Sequence, residues 1–212
     1  MSPRRIAEPT HLWLIRHAEV EEAYHEVFGG RINMGLSAEG LKQAGALGRW
    51  FAGERLDAVY CSPMRRTRET LKAMAVNGTP KPVFRPALQE VDFGDWSGLG
   101  WHEVWTRYKV RATEWLDCLE IGAVPNGESA ATFRARVEPC LRKIIRDHPG
   151  EQVAILAHGG VIRMMLGVLL GLPLPETAVF EIDYASVTHL ALLPHGTEIH
   201  LLNFAPWRDC RP

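Results

Sequence analysis

This 212-residue sequence predicts an α/β fold, with helices on both faces of a mostly parallel sheet. Three observations carry that expectation. Short runs of apolar or branched residues alternate with segments of helical periodicity. The length and the 46% hydrophobic content suffice for one sizeable core, so residues 1–212 are expected to form a single domain. Reactive side chains recur just after several of the strand-like runs, at the carboxyl edge where open α/β sheets bind ligands.

The elements follow in order. His11–Arg16 reads as the first strand. Ser37 can cap a helix that carries Leu41, Ala44, Leu47 and Phe51 along one face. Asp57–Ser62 is the second strand, and Ser62-Pro63 suits the start of a helix with Met64, Thr67, Leu71 and Met74 at helical spacing. The stretch from Asn77 to Pro86 reads as loop, with Pro82–Arg85 a weak additional strand that brings the sheet to six. One helix is expected from Trp101 to Cys118, then a loop from Glu120 to Gly127. Another helix follows Ser129 with the stripe Phe133, Val137, Leu141 and Ile144. Gln152–Ala157 is a strand, and a helix starts beside Gly159 and Gly160. The apolar run from Val161 to Leu174 is interrupted by Arg163 and is too short for a bilayer span, so it reads as a buried helix. Val187–Leu193 and Ile199–Phe204 complete the sheet.

Twenty-four basic and 25 acidic residues leave a formal charge of −1, which excludes the long-range field that recruits nucleic acid or an anionic membrane. Cys61, Cys118, Cys140 and Cys210 are scattered without the paired spacing of zinc or disulfide scaffolds. Arg4 and Arg5 precede an apolar run, Leu12–Ile15, far shorter than a signal-peptide core. A cytoplasmic protein with reduced thiols is the expectation. The oligomeric state is open, with a dimer allowed.

The chemistry gathers at strand ends. Arg16-His17 closes the first strand, Ser62 the second with Arg65, Arg66 and Arg68 after it, and His158-Gly159-Gly160 follows the strand at 152–157. Glu90, Asp92 and Asp95 can reach the same edge. Arginine presents a planar fork of donors that matches phosphate oxygens. Neutral imidazole attacks phosphorus without first losing a proton. A backbone amide at Gly159, opening a helix, adds a donor where the helix dipole favours negative charge. Phosphoryl transfer, whose catalysis is mostly positioning and charge stabilisation, suits this set, with Arg16, Arg66 and a protonated His158 as the stabilising groups. The rival reading takes His17, His158 and Glu90 as metal ligands; neighbouring arginines would repel the cation, so no metal or other cofactor is expected. Cys61 reads as a small buried strand residue. Residue chemistry alone does not choose among the three arginines or the three acids.

At these residues the sequence resembles the histidine phosphatase superfamily, also called phosphoglycerate mutase-like, over essentially its whole length. Leu14-Ile15-Arg16-His17-Ala18-Glu19 is similar to its R-H-G-E signature, which implies a nucleophile at His17 and a phosphate-binding arginine at Arg16. Cys61–Thr70 resembles S-S-x-L-x-R-A-x-x-T and selects Arg66. Leu88–Gly98 resembles L-x-E-x-x-F-G-x-W-E-G and selects Glu90 as proton donor. Asn126–Ser129 and His158–Arg163 match the two remaining motifs. The resemblance implies a three-layer α/β/α sandwich with a mixed six-stranded sheet and a phosphohistidine intermediate. Ala18 stands in place of the usual glycine, and Val20 and Ala23 replace a hydroxyl residue and an asparagine. A modified oxygen contact is therefore expected from Ser62, Asn33 or Arg31.

Compactness around Glu90–Gly98 resembles the phosphatase branch, including alpha-ribazole and broad sugar-phosphate phosphatases. A small phosphate ester is the expected partner, hydrolysed without metal. The alternatives are mutase-type transfer and a catalytically weak phospholigand-binding protein. The loop with Tyr24, His25, Phe28 and Arg31 and the helix with Trp101, Trp105, Arg107 and Tyr108 are the expected walls, or else ordinary packing.

Overall fold

The computed structural model describes residues 8–75 and 78–210. Arg4 and Arg5, and the start of the expected loop at Asn77, lie outside the described residues. Six strands form one sheet: β1 (Thr10–Arg16), β2 (Ala58–Cys61), β3 (Val83–Phe84), β4 (Gln152–Ala157), β5 (Val187–Leu193) and β6 (Gly196–Phe204). Their spatial order is β3-β2-β4-β1-β5-β6. β3, β2, β4 and β1 run parallel, whereas β5 and β6 attach to β1 as an antiparallel hairpin.

The helices are α1 (Ala38–Phe51), α2 (Arg65–Met74), α3 (Trp101–Tyr108), α4 (Trp115–Glu120), α5 (Ala130–Asp147), α6 (Gly159–Leu170) and the short α7 (Pro206–Asp209). Alternation along the central strands divides the core. Leu12 and Leu14 of β1, with Val153 and Ile155 of β4, meet Phe133, Val137, Leu141 and Met165 of α5 and α6. Trp13 and Ile15, with Ala154 and Leu156, meet Ala44, Leu47 and Phe51 of α1 and Met74 of α2. Gly48 lets α1 and α2 touch: a Cβ there would lie 1.8 Å from the Met74 carbonyl oxygen. Among the described residues, no helix is long and apolar enough to cross a membrane.

Three expectations need correction. The helix over 101–118 is two helices, because Lys109 ends α3 in the left-handed conformation (φ 60°) and α4 begins only at Trp115. Leu41 is exposed (52%), and Gln43 takes the buried place on α1. Ser62-Pro63 does not open α2, which begins at Arg65 after Met64; the Ser62 hydroxyl is bonded elsewhere.

Candidate active site

β1 and β4 are parallel neighbours with Arg16 opposite Ala157, so the residues that follow them, His17 and His158, emerge side by side. Their ring centroids are 5.1 Å apart. His17 is almost fully buried, and its Nδ1 lies 2.8 Å from the Ala18 carbonyl oxygen. A carbonyl accepts only, so Nδ1 carries the proton and the lone pair lies on Nε2. That assignment is confirmed from the other side, because Arg66 Nε–H donates to His17 Nε2 at 3.2 Å.

The same Arg66 N–H also reaches Nδ1 of His158 at 3.1 Å, and Nε2 of His158 lies 2.8 Å from the Ser62 hydroxyl oxygen. His158 is therefore protonated on Nε2 only. Burial is the main reason both rings are held well below the usual histidine range, with the Arg66 charge next. The free site thus favours neutral His158, so the imidazolium expected during transfer would need a proton taken up together with the phosphate.

Arg66 is 3% exposed and is tied by its other nitrogens to the Ile32 and Gly30 carbonyls at 3.0 and 2.7 Å. Burial lowers its pKa to about 10, so it remains a cation at neutral pH. Arg16 lies with its guanidinium carbon 4.1 Å from the centre of the Tyr184 ring, and Nη1 donates to the Ile182 carbonyl at 2.5 Å. Its Nε is buried without a hydrogen-bond partner. An unsatisfied buried guanidinium donor is one that an incoming oxyanion completes.

Glu90 is the one of the three candidate acids that lines the same cavity. Asp92 accepts from Gly94 N–H and Asp95 from the Asn126 amide instead. The Glu90 oxygens accept from Val91 N–H at 3.0 Å and Gly160 N–H at 3.1 Å. Gly160 has a steric reason to lack a side chain, since a Cβ would sit 2.6 Å from Glu90 Oε1. Arg136 fixes the backbone of this segment by donating to the carbonyls of Ala87, Gln89 and Glu90 at 2.8, 2.7 and 3.0 Å, while its fork grips both oxygens of Glu128.

The cavity encloses about 240 Å³. Arg16, His17, Arg66, Glu90, Gly159 and Tyr24 line it. Ser62, Arg31 and Asn33 do not. Ser62 is fully buried behind His158, Arg31 is turned to Glu128 (3.0 Å) and Asp92 (3.7 Å), and Asn33 is exposed beside Arg65 and Arg68. Of the expected aromatic walls Phe28 and Trp101 line the cavity, whereas Trp105 is exposed, Arg107 pairs with Glu103, and Tyr108 packs near Trp96. Val20 lines it too, which makes that side apolar where a hydroxyl is usual. Ala18 does not have a positive φ, so the extra methyl carries no backbone strain; its N–H donates to Thr70 at 3.0 Å. Cys61 is buried, and burial pushes its thiol up to about 12, which leaves it protonated and inert.

Sequence reasoning missed Tyr184 and Arg163, which also line the cavity. Arg163 carried a signal, as the lone charge in an apolar helix; its Nη1 donates to the Thr177 carbonyl at 2.6 Å and to that of Phe180. Tyr184 carried none, because its place depends on the chain leading into β5.

A sheet of this topology with two neutral histidines, two arginines and one carboxylate at its carboxyl edge brings a nucleophilic nitrogen and side-chain positive charge together, a set suited to phosphoryl transfer. A solved structure of the alpha-ribazole phosphatase from Shigella flexneri superposes with a TM-score of 0.79 at 24% identity, covering 91% of this chain and 96% of that one, which is a likeness of fold. Phosphoserine phosphatase 1 of Hydrogenobacter thermophilus is 31% identical over 91% of both chains. The adenosylcobalamin/alpha-ribazole phosphatase of Escherichia coli is 26% identical over 91% of this chain and 95% of its own. The model of the histidine phosphatase superfamily (branch 1) matches residues 12–205, and the chain belongs to that family.

Proposed function

We propose that the chain, acting as a single domain over residues 1–212, hydrolyses small-molecule phosphate monoesters through a phosphohistidine on His17. The observation that carries this reading is the hydrogen bond from Nδ1 of His17 to the Ala18 carbonyl, which puts the lone pair on Nε2, beside Arg66 Nε–H, inside the cavity. On binding, phosphate oxygens take over the Arg66 Nε–H now shared by the two rings and satisfy the orphaned Arg16 Nε–H. The Gly159 N–H at the start of α6 adds a donor on the helix dipole.

The Nε2 lone pair then forms the N–P bond as the P–O bond to the leaving group breaks, and Glu90 delivers its proton to the departing oxygen. The resulting imidazolium keeps its Nδ1–H on the Ala18 carbonyl, which stabilises the positive charge. In the second half, Glu90 as carboxylate takes a proton from water, the water oxygen attacks phosphorus, and the N–P electrons return to Nε2. Arg66 and Arg16 hold the transferring oxygens; His158 joins them once the bound phosphate dianion brings a proton to its Nδ1, while its Nε2–H stays on Ser62.

The outer wall indicates the substrate. Phe28, Phe93, Trp101 and Trp115, with Val20 and Met34, form an apolar rim that suits an ester with a flat or apolar leaving group. The names of the relatives, phosphoserine phosphatase and alpha-ribazole phosphatase, bracket the choice; the rim favours the second. Neither nucleic acid nor membrane is a partner in this reading. A cytoplasmic location belongs to it as well, supported by four unpaired cysteines.

A panel of alpha-ribazole phosphate, phosphoserine, sugar phosphates and both phosphoglycerates, assayed with EDTA, tests the proposal. Inorganic phosphate should be released from several esters, fastest from the nucleoside phosphate. Activity lost on chelation and restored by zinc or manganese, or interconversion of 2- and 3-phosphoglycerate faster than hydrolysis, would overturn it. Turnover of none would favour a phospholigand-binding protein.

A further inference from the structure

A second histidine cluster stands at the other end of β1, roughly 17 Å along the strand from Arg16. It joins His11 at the start of β1, His189 in β5 and His200 in β6. Each offers a ring nitrogen, and the three nitrogens lie within 4.8 Å of one another. Nδ1 of His11 is 3.0 Å from Nε2 of His189, and the ring centroids of His200 lie 5.9 and 5.0 Å from those two.

The backbone is arranged to bring them together. His189 sits directly across from Trp13 in β1, and their rings stack at 3.6 Å, which fixes the His189 plane. β5 and β6 are out of regular register here: His189 pairs with Leu201 but Leu190 pairs with Ile199, so His200 is the additional residue of a β-bulge. Bulges re-aim a side chain that a regular ladder would send elsewhere. This one turns His200 towards His11 and His189 and leaves it beside the Glu198 carboxylate, 3.4 Å from Nε2, where an acid can orient the ring.

We propose that His11, His189 and His200 form a binding site for one divalent transition-metal ion of the imidazole-preferring class, zinc or copper, clamping the β5–β6 hairpin to β1. Tetrahedral coordination with metal–nitrogen bonds of about 2.0–2.1 Å sets ligand nitrogens about 3.3 Å apart. The His11–His189 pair is within a few tenths of an ångström of that spacing, and the exposed His200 closes the remainder by a side-chain rotation. Solvent reaches the fourth position through the exposed side of the cluster. Burial and the neighbouring rings hold His189 down at about 4, and burial with the His200 ring lowers His11, so both present the neutral form that metals need. The sequence hides this site because the ligands come from three strands with no short ligand spacing.

The test titrates tag-free protein with Co²⁺ as a visible-absorbing stand-in for zinc, alongside His200→Gln, His11→Gln and His17→Ala variants. One equivalent should give the intense absorption of a tetrahedral ion and be displaced by Zn²⁺. His200→Gln should weaken binding by about tenfold or more and His11→Gln at least as much, while His17→Ala binds like the parent. Because His200 is exposed, its variant should melt with the parent in EDTA and lose only the rise in Tm that Zn²⁺ gives the parent. Absence of stoichiometric binding, binding indifferent to both strand histidines, or binding abolished by His17→Ala would overturn the proposal.

Discussion

Replacing Glu90 by Gln separates proton donation from the other tasks of that side chain. The volume stays the same, but one of the two acceptors that now receive Val91 N–H and Gly160 N–H becomes an NH₂ group facing a donor. One unsatisfied buried group costs about 1–3 kcal/mol. At about 2–4 °C per kcal/mol for a chain of this size, Tm should fall by about 2–12 °C, leaving the variant folded at 25 °C. The missing proton costs more where the leaving group is a strong base. A positioned acid contributes about 10²- to 10⁴-fold to departure of an alkoxide, equivalent to about 2.7–5.4 kcal/mol of barrier. Nitrophenolate needs little protonation and should lose about tenfold or less. The assay is single-turnover hydrolysis of an alkyl phosphate and of p-nitrophenyl phosphate by parent and variant, well below both melting temperatures. Equal losses on the two substrates would show that Glu90 acts only by holding structure. Loss on neither would move the proton to another group, although Asp92 and Asp95 are both bonded away from the cavity.

Arg136 should prove to be the positioning residue behind Glu90. Arg136→Met keeps the packing over the Phe133 ring but strands three carbonyls and the half-buried Glu128, at a cost of about 3–5 kcal/mol, or about 6–20 °C in Tm; a Tm within 2 °C of the parent would contradict that role. Glu128 itself should titrate below the ordinary glutamate range, because the Arg136 and Asp92 hydrogen bonds together outweigh burial, which pushes the other way. The buried His17 and His158 have folded-state pKa values depressed below 6.5, so the unfolded chain takes up protons first as pH falls. Their contribution to stability is therefore complete above about 6.5 and declines below it, by up to about 1.4 kcal/mol per histidine per pH unit. NMR of the free protein should show a His17 ring, assigned with His17→Asn, that does not titrate between pH 7.5 and 6; a midpoint near 6.5 would contradict the buried neutral assignment.

Much of the fold was legible because it rests on local pattern. The strand at Gln152–Ala157 and the stripe Phe133, Val137, Leu141 and Ile144 appear as read, since each element buries one face or a whole run. The start of β6 was not, because the tight turn before Gly196 extends the hairpin through Gly196 and Glu198, residues that are depleted in strands. The α3–α4 break escaped notice because Lys109 in a left-handed turn leaves no mark of glycine or proline. In the site, Arg16, His17, Arg66, Glu90 and His158 were found by type and order along the chain. Their selection among neighbours came from a resemblance, and the cavity supplies the physical reason for Glu90. Ser62 and Arg31 fall outside the cavity because their partners, His158 for the first and Glu128 and Asp92 for the second, are distant in sequence and meet them only through folding. Asn33 lies exposed beside Arg65 and Arg68. The same distance concealed Tyr184 over Arg16.

The decisive measurement is the chemical identity of the phosphorylated nitrogen. Protein mixed rapidly with a ³²P-labelled ester and quenched in alkali should carry acid-labile, base-stable label on His17, and ³¹P NMR of the quenched protein should report an Nε2 phosphoramidate that His17→Ala lacks. Label on Nδ1 or on another residue, or turnover that persists in His17→Ala without any label, would contradict the hydrogen-bond assignment from which the mechanism is built.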